Sequence, residues 1–104
     1  MQRHGVRAES AHFVLYGGRI PDDDKSRLGV TVSRRVGIAV IRNRIKRRVR
    51  EVYRLKLRAM LPDPTALVVI ARNGAGDLSS DLINRELEAA AQIVATRSQA
   101  ASSR

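Results

Sequence analysis

The residues of this chain best suited to chemistry are cations, and they crowd one segment. "VIRNRIKRRVREVYR", residues 40–54, holds Arg42, Arg44, Lys46, Arg47, Arg48, Arg50 and Arg54, with Glu51 as its only acid. On a helix, Arg42, Lys46, Arg50, Arg54 and Arg58 form a ridge at i, i+4 spacing. Asn43 and Arg47 lie beside it, and Arg44 and Arg48 fall on the flank nearest an apolar stripe. The four like-charge pairs of the ridge cost about 0.2–0.5 kcal/mol each, on the order of 1–2 kcal/mol in total. Arg42 and Arg44 also stand near the helix start, where the macrodipole disfavours cations. An anion at that end removes both penalties, and phosphate suits it best. Free backbone N–H groups, the dipole and forked guanidinium donors all favour phosphate there. Arginine in place of lysine at nearly every position adds a plane that stacks on bases. Asn43 supplies a neutral donor and acceptor where a third cation would raise the repulsion.

The other reactive side chains make no comparable pattern. Asp22, Asp23 and Asp24 are consecutive in a proline-containing loop, a spacing that reads as solvated loop rather than cation site. Asp77 and Asp81 flank a helix start and read as capping residues. His4 and His12 have no partner placing them as acid or base. Ser33 has no nucleophile motif around it, and Tyr53 reads as core or helix flank. Without cysteine, the chain has no disulfide, thiolate zinc site or cysteine nucleophile. No hydrolytic site emerges, and no metal site is assigned.

The totals point the same way as the segment. The chain has 104 residues, 20 Lys+Arg against 10 Asp+Glu, a net charge of +10 and a pI near 11.5. Residues 34–58 carry 11 of those cations, including Arg34 and Arg35. Nucleic acid is the first partner such charge implies, and an anionic membrane surface the second. An apolar stripe without Trp or Phe weakens the membrane reading. Only Phe13, Tyr16 and Tyr53 are aromatic, so RNA binding must lean on charge rather than on rows of stacked bases. No run is long enough to span a membrane and the N-terminus lacks an apolar signal core, which makes a cytoplasmic protein the default.

These side chains need elements to position them. "AHFVLYG" (11–17) reads as a strand, with Phe13 and Leu15 on one face and Val14 and Tyr16 on the other. Residues 18–27 read as a loop, 28–33 as a half-buried strand and 34–37 as a turn. From about 38 to 61 the period becomes helical: Ile41, Ile45, Val49, Val52, then Leu57 or the stem of Lys56, then Met60. "LPDP" stops that helix, and "TALVVIA" (65–71) fits an interior strand. Ser79 or Ser80 can cap a last helix whose buried side carries Leu82, Ile83, Leu87, Ala90, Ile93 and Val94. The expected fold class is α+β, a two-layer sandwich with a small central mixed sheet and packed helices, in the order β-β-α-β-α. One domain is expected over residues 1–95, with residues 96–104 as a disordered tail.

"LGVTVSRRVGIAVIRNRIKRRVRE" resembles the protein subunit of bacterial ribonuclease P, whose signature is Arg-Asn-Arg followed by a basic helix. "HFVLY" before it and "LVVIARNGAGDLS" after it fall in that family's order, so the resemblance covers about residues 5–90. It implies a left-handed βαβ crossover, against the general right-handed rule. It also implies a ribonucleoprotein endonuclease that removes the 5′ leader from precursor tRNA. The catalytic RNA subunit holds the active centre and most of the Mg2+, and precursor tRNA is the substrate. By the same resemblance Arg42, Asn43, Arg44, Lys46, Arg47, Arg48 and Arg50 bind RNA, with Arg34, Arg35 and Arg54 beside them. Val14, Tyr16 and Ser33 face the single-stranded leader. Family members usually begin with a further helix bearing phenylalanines, and "MQRHG" falls where that helix ends. Either the sequence starts inside it or the leader cleft has a thinner wall. Two other readings compete on charge alone. One is a non-catalytic ribosomal or assembly protein on rRNA. The other is a DNA-binding module, which the lack of a helix-turn-helix arrangement disfavours.

Overall fold

The structure, a computed structural model, describes residues 5–19, 26–61 and 64–102. His4, Asp22, Asp23 and Asp24 lie outside them. A four-stranded mixed sheet is formed by β1 (Val6–Glu9), β2 (Phe13–Arg19), β3 (Arg27–Val32) and β4 (Thr65–Ala71), in the order β1-β2-β4-β3. β1 and β4 both run antiparallel to β2, and β3 runs parallel to β4. The connection from β3 to β4 is α1 (Ala39–Val52), a π-helical turn over Tyr53–Leu57 and a closing turn, α2 (Arg58–Met60). A 3-10 turn, Ala75–Asp77, then leads to α3 (Ser80–Ser102). The expected β-β-α-β-α order is thus present behind one extra strand. β1 alternates Val6 and Ala8 with Arg7 and Glu9, a period-2 pattern four residues long.

Alternation sorts the sheet into a covered and an open face. Phe13, Leu15, Leu67 and Val69 are fully buried with Ile45 and Val49 of α1 and Leu87 and Val94 of α3. Glycine at 17 permits the close approach of α3, because a Cβ there would stand 2.5 Å from Val94 Cγ1.

The basic helix changes pitch where its stripe changes step. Ile45, Val49 and Val52 are buried at intervals of four and three, and the next buried residue is Leu57, five positions on. A regular α-helix would point position 57 away from the core. The π turn absorbs the extra residue, with the Arg58 N–H donating to the Tyr53 carbonyl. Leu57 is therefore the core residue, Leu55 is left exposed, and Lys56 is exposed and pairs with Glu88 at 3.3 Å.

α3 continues through Ser102, where a disordered tail was expected from residue 96. Arg97 ties this end of the helix to the sheet through a 3.2 Å bond to the Arg7 carbonyl. Ser79 is the residue that caps α3, accepting from the Leu82 N–H at 3.3 Å, and Asp81 lies in its first turn.

Candidate nucleic-acid interface

α1 starts without any of the usual stabilisers. Its N-cap is Ile38, which offers no side-chain acceptor, and its first turn contains no acid. Ile38 and Val40 are about 70% exposed, at 69% and 71%, so this end of the helix meets solvent. Three of the expected RNA-binding arginines spend a donor inside the protein. Arg42 Nε donates to the Gly37 carbonyl at 3.1 Å, Arg44 to the Gly76 carbonyl at 2.8 Å, and Arg48 Nε to Asn84 Oδ1 at 3.2 Å. These bonds tie α1 to the turn before it, to the 3-10 turn and to α3. Each guanidinium keeps further donors.

The remaining cations divide by what they face. Arg54 pairs with Glu51 at 2.9 Å, and it lies in the π turn. The ridge drawn from Arg42 to Arg58 by regular spacing is straight only through Arg50, because the π turn rotates the residues beyond it. Among the described residues, Arg34, Arg35, Lys46, Arg47 and Arg50 have no ion pair. Arg34 and Arg35 are exposed in the turn that closes with the Val36 N–H donating to the Ser33 carbonyl at 3.1 Å. Asn43 is exposed in the first turns of α1.

The sheet's open face stands apart from this helix surface. Register places Arg7, Tyr16, Val68 and Gly29 in one row across the four strands, and Glu9, Val14, Ile70 and Thr31 in the next. Tyr16 is 42% and Val68 38% exposed. Arg7 Nε donates to the Tyr16 hydroxyl at 3.1 Å, and its guanidinium carbon lies 5.8 Å from the ring centroid, within cation–π range. Glu9 bridges Arg7 and Arg72, and the two guanidinium donors hold its carboxyl below the usual carboxylate range. Val14 is the covered residue of this face. It shares the face with Tyr16 but is 6% exposed, enclosed between Glu9 and Ile70. Tyr16 is the one aromatic on the open face, and Ser33 is exposed just beyond the end of β3.

The alternation of "VRAE" would have placed Arg7 and Glu9 beside Tyr16, had that stretch been read as a strand. His12 also does more than its isolation in sequence suggests. Its Nδ1 lies 2.6 Å from Glu86, whose carboxylate also accepts from the Ser10 hydroxyl at 2.7 Å and the His12 N–H at 2.8 Å. The cluster fastens the β1–β2 turn to α3. Among the described residues no group of three His, Cys, Asp or Glu is placed to hold a metal, and no helix is long and apolar enough to cross a membrane.

Comparison with known proteins places this architecture. The family model for ribonuclease P matches residues 1–95. The ribonuclease P protein components of Geotalea uraniireducens and Shouchella clausii are each 44% identical to the chain, over 82 and 86 residues. Those alignments cover 78% and 83% of this chain and 69% and 70% of the relatives. A solved structure of the Staphylococcus aureus RNase P protein superposes with a TM-score of 0.75 at 31% identity, covering 88% of this chain and 84% of that one. The RNase P protein of Thermotoga maritima, solved with 1-(4-fluorophenyl)-2-thiourea, gives 0.73 at 29%, covering 85% and 84%. The mixed sheet, the basic crossover helix with its Arg-Asn-Arg start and these likenesses agree, and the chain belongs to the ribonuclease P protein family.

Proposed function

We propose that this chain acts as the protein component of ribonuclease P. It assists a catalytic RNA in endonucleolytic removal of the 5′ leader from precursor tRNA by binding phosphates and the single-stranded leader. The observation that carries the reading is the unneutralised cationic surface formed by Arg34, Arg35, Lys46, Arg47 and Arg50. No carboxylate among the described residues pairs with these five, and α1 begins without a cap or an acid. A surface of that kind is stabilised by phosphates of the catalytic RNA. Arg42 and Arg44 serve a double role, fixing the start of α1 through Gly37 and Gly76 and offering their remaining donors to RNA. Asn43, exposed between them, makes a polar contact. Arg48 and Arg54 stand at the margin of the surface.

The open sheet face is the place for the leader. Tyr16 is the one stacking platform, Arg7 holds its phenol in position, and Val68 extends the apolar floor. Val14 contributes to the floor from beneath, and Ser33 offers a hydroxyl at the sheet edge. Mg2+ is held by the RNA, where it supplies the hydrolytic chemistry. The chain's own part is to neutralise phosphate repulsion, so that fewer free cations are needed. The subunit works in the cytoplasm, where its RNA partners are made.

The test is reconstitution with a bacterial ribonuclease P catalytic RNA and a precursor tRNA. Cleavage at the leader junction, at magnesium too low for the RNA alone, is expected. Tight RNA binding that confers no cleavage would instead mark a ribosomal or assembly protein and overturn the proposal.

A further inference from the structure

The four strands hold a single acid, Glu9, and alternation puts it on the open face of the sheet beside Arg7 and Tyr16. In a chain of net charge +10, an acid on a face that meets RNA works against the partner. Both of its oxygens are engaged. Oε2 accepts from Arg7 Nη1, and Oε1 accepts from Arg72 Nη2. Arg7 also donates from Nε to the Tyr16 hydroxyl at 3.1 Å. Arg72 is rooted just past β4 by its backbone N–H, which donates to the His12 carbonyl at 2.8 Å.

Stability does not account for this cluster. The three side chains are between 39% and 48% exposed, and ion pairs so open contribute little to a fold. The geometry is that of oxyanion recognition: two guanidinium groups from separate segments converge on one anion, one on each oxygen, and each keeps further donors. Arg7 at the same time lies 5.8 Å from the centroid of the Tyr16 ring, the stacking platform of this face. An anion seated between Arg7 and Arg72 is therefore close to the ring on which a base would stack. Val14, the register partner of Glu9, is buried at the same end of the face.

We propose that Glu9 gates the leader face: its carboxylate stands in for a phosphate between Arg7 and Arg72, and a phosphate of the single-stranded leader takes both arginines by displacing it. The inference rests on the leader reading of the sheet face above and adds the regulation of that site. Exchange of one anion for another leaves both guanidinium groups paired, so neither is stranded without a partner. A base stacking on Tyr16 tips the exchange toward RNA. When the cleaved leader dissociates, the carboxylate, tethered beside the arginines at high effective concentration, retakes them. The product is released rather than held.

Glu9→Gln, which keeps the size of the side chain and removes its charge, tests the gate in the holoenzyme assembled with catalytic RNA. Half-saturation in single-turnover cleavage is measured for precursor tRNA with a long leader and with a leader cut back to its last nucleotide. The variant should bind the long-leader substrate about two- to fivefold more tightly, the range of one exposed ion pair, and the short-leader substrate as the parent does. In a chain that also carries Arg7→Gln and Arg72→Gln, the same change should bring no gain. A gain on both substrates, or one that survives without the two arginines, would mean that Glu9 acts only as a distant charge and overturns the gate. A fall in thermal stability together with a loss of affinity would make Glu9 a structural brace and overturn it equally. If the long leader strengthens binding by the parent and Glu9→Gln adds nothing, the gate alone is wrong. Equal affinity of the parent for both substrates overturns the leader reading, and the gate with it.

Discussion

Replacing Arg47 and Arg50 by glutamine separates binding from folding more cleanly than any other change on α1. Neither side chain has an ion pair among the described residues, so the fold loses no direct contact between charges. Arg50 stands i, i+4 from Lys46 within α1, and its neutralisation relieves a repulsion of about 0.2–0.5 kcal/mol. Arg47 stands i, i+4 from Glu51, and losing that attraction costs a similar amount. The net effect on stability is under about 1 kcal/mol. Binding responds differently, since each phosphate contact adds about 0.7–0.9 to the slope of log affinity against log salt. Losing two contacts lowers that slope by about 1.4–1.8. Anisotropy titrations of labelled catalytic RNA across a salt series measure the slope, and thermal unfolding measures the fold. Arg48→Gln is the contrast, because it also breaks the bond to Asn84 and so lowers stability as well as affinity. If the double variant folded like the parent and kept the parent's slope, α1's free arginines would not be phosphate ligands.

The packing makes two further outcomes testable. Burial works to raise the Glu86 carboxyl, but bonds from the His12 ring, the Ser10 hydroxyl and the His12 N–H outweigh it and hold the group below the usual carboxylate range. A folded-state value below the unfolded one stabilises the protein above the ordinary carboxylate range, and that stability disappears as pH falls through the folded value. Denaturant unfolding at stepped acidic pH should therefore show a steeper decline for the parent than for Glu86→Gln, and parallel declines would contradict the assignment. Gly17→Ala drives a methyl into Val94 and should cost about 1–3 kcal/mol by chemical denaturation. The added change Val94→Ala should return part of that loss; no recovery would mean the clash is not the cause.

The parts of the fold that were legible in sequence are those whose pattern is local. Ile45, Val49 and Val52 repeat at helical spacing, and the cations fill the positions between them, so both the helix and its charged surface can be drawn from residue order. The five-residue step to Leu57 was visible too, as an ambiguity with Lys56, and a π turn is what such a step demands. β1 was harder, because four residues of alternation carry little signal until β2 pairs with them. The internal bonds of Arg44 and Arg48 could not be read at all. Their acceptors, Gly76 and Asn84, lie 32 and 36 residues away, and nothing in a basic run says which of its members the fold has already engaged. The same holds for Val14: alternation put it beside Tyr16, but its enclosure comes from Glu9 on a strand not foreseen.

The division of labour between protein and RNA is tested most directly by cleavage rate against magnesium, in single turnover. Catalytic RNA is compared alone, with the parent chain, and with a chain in which Arg34, Arg35, Arg47 and Arg50 are glutamine. The parent should move the curve to lower magnesium and the neutralised chain should move it back. All three should converge on one rate when magnesium saturates. A neutralised holoenzyme that stays slow at saturating magnesium, while still bound to its RNA, would contradict the account, because it would place part of the chemistry in the protein.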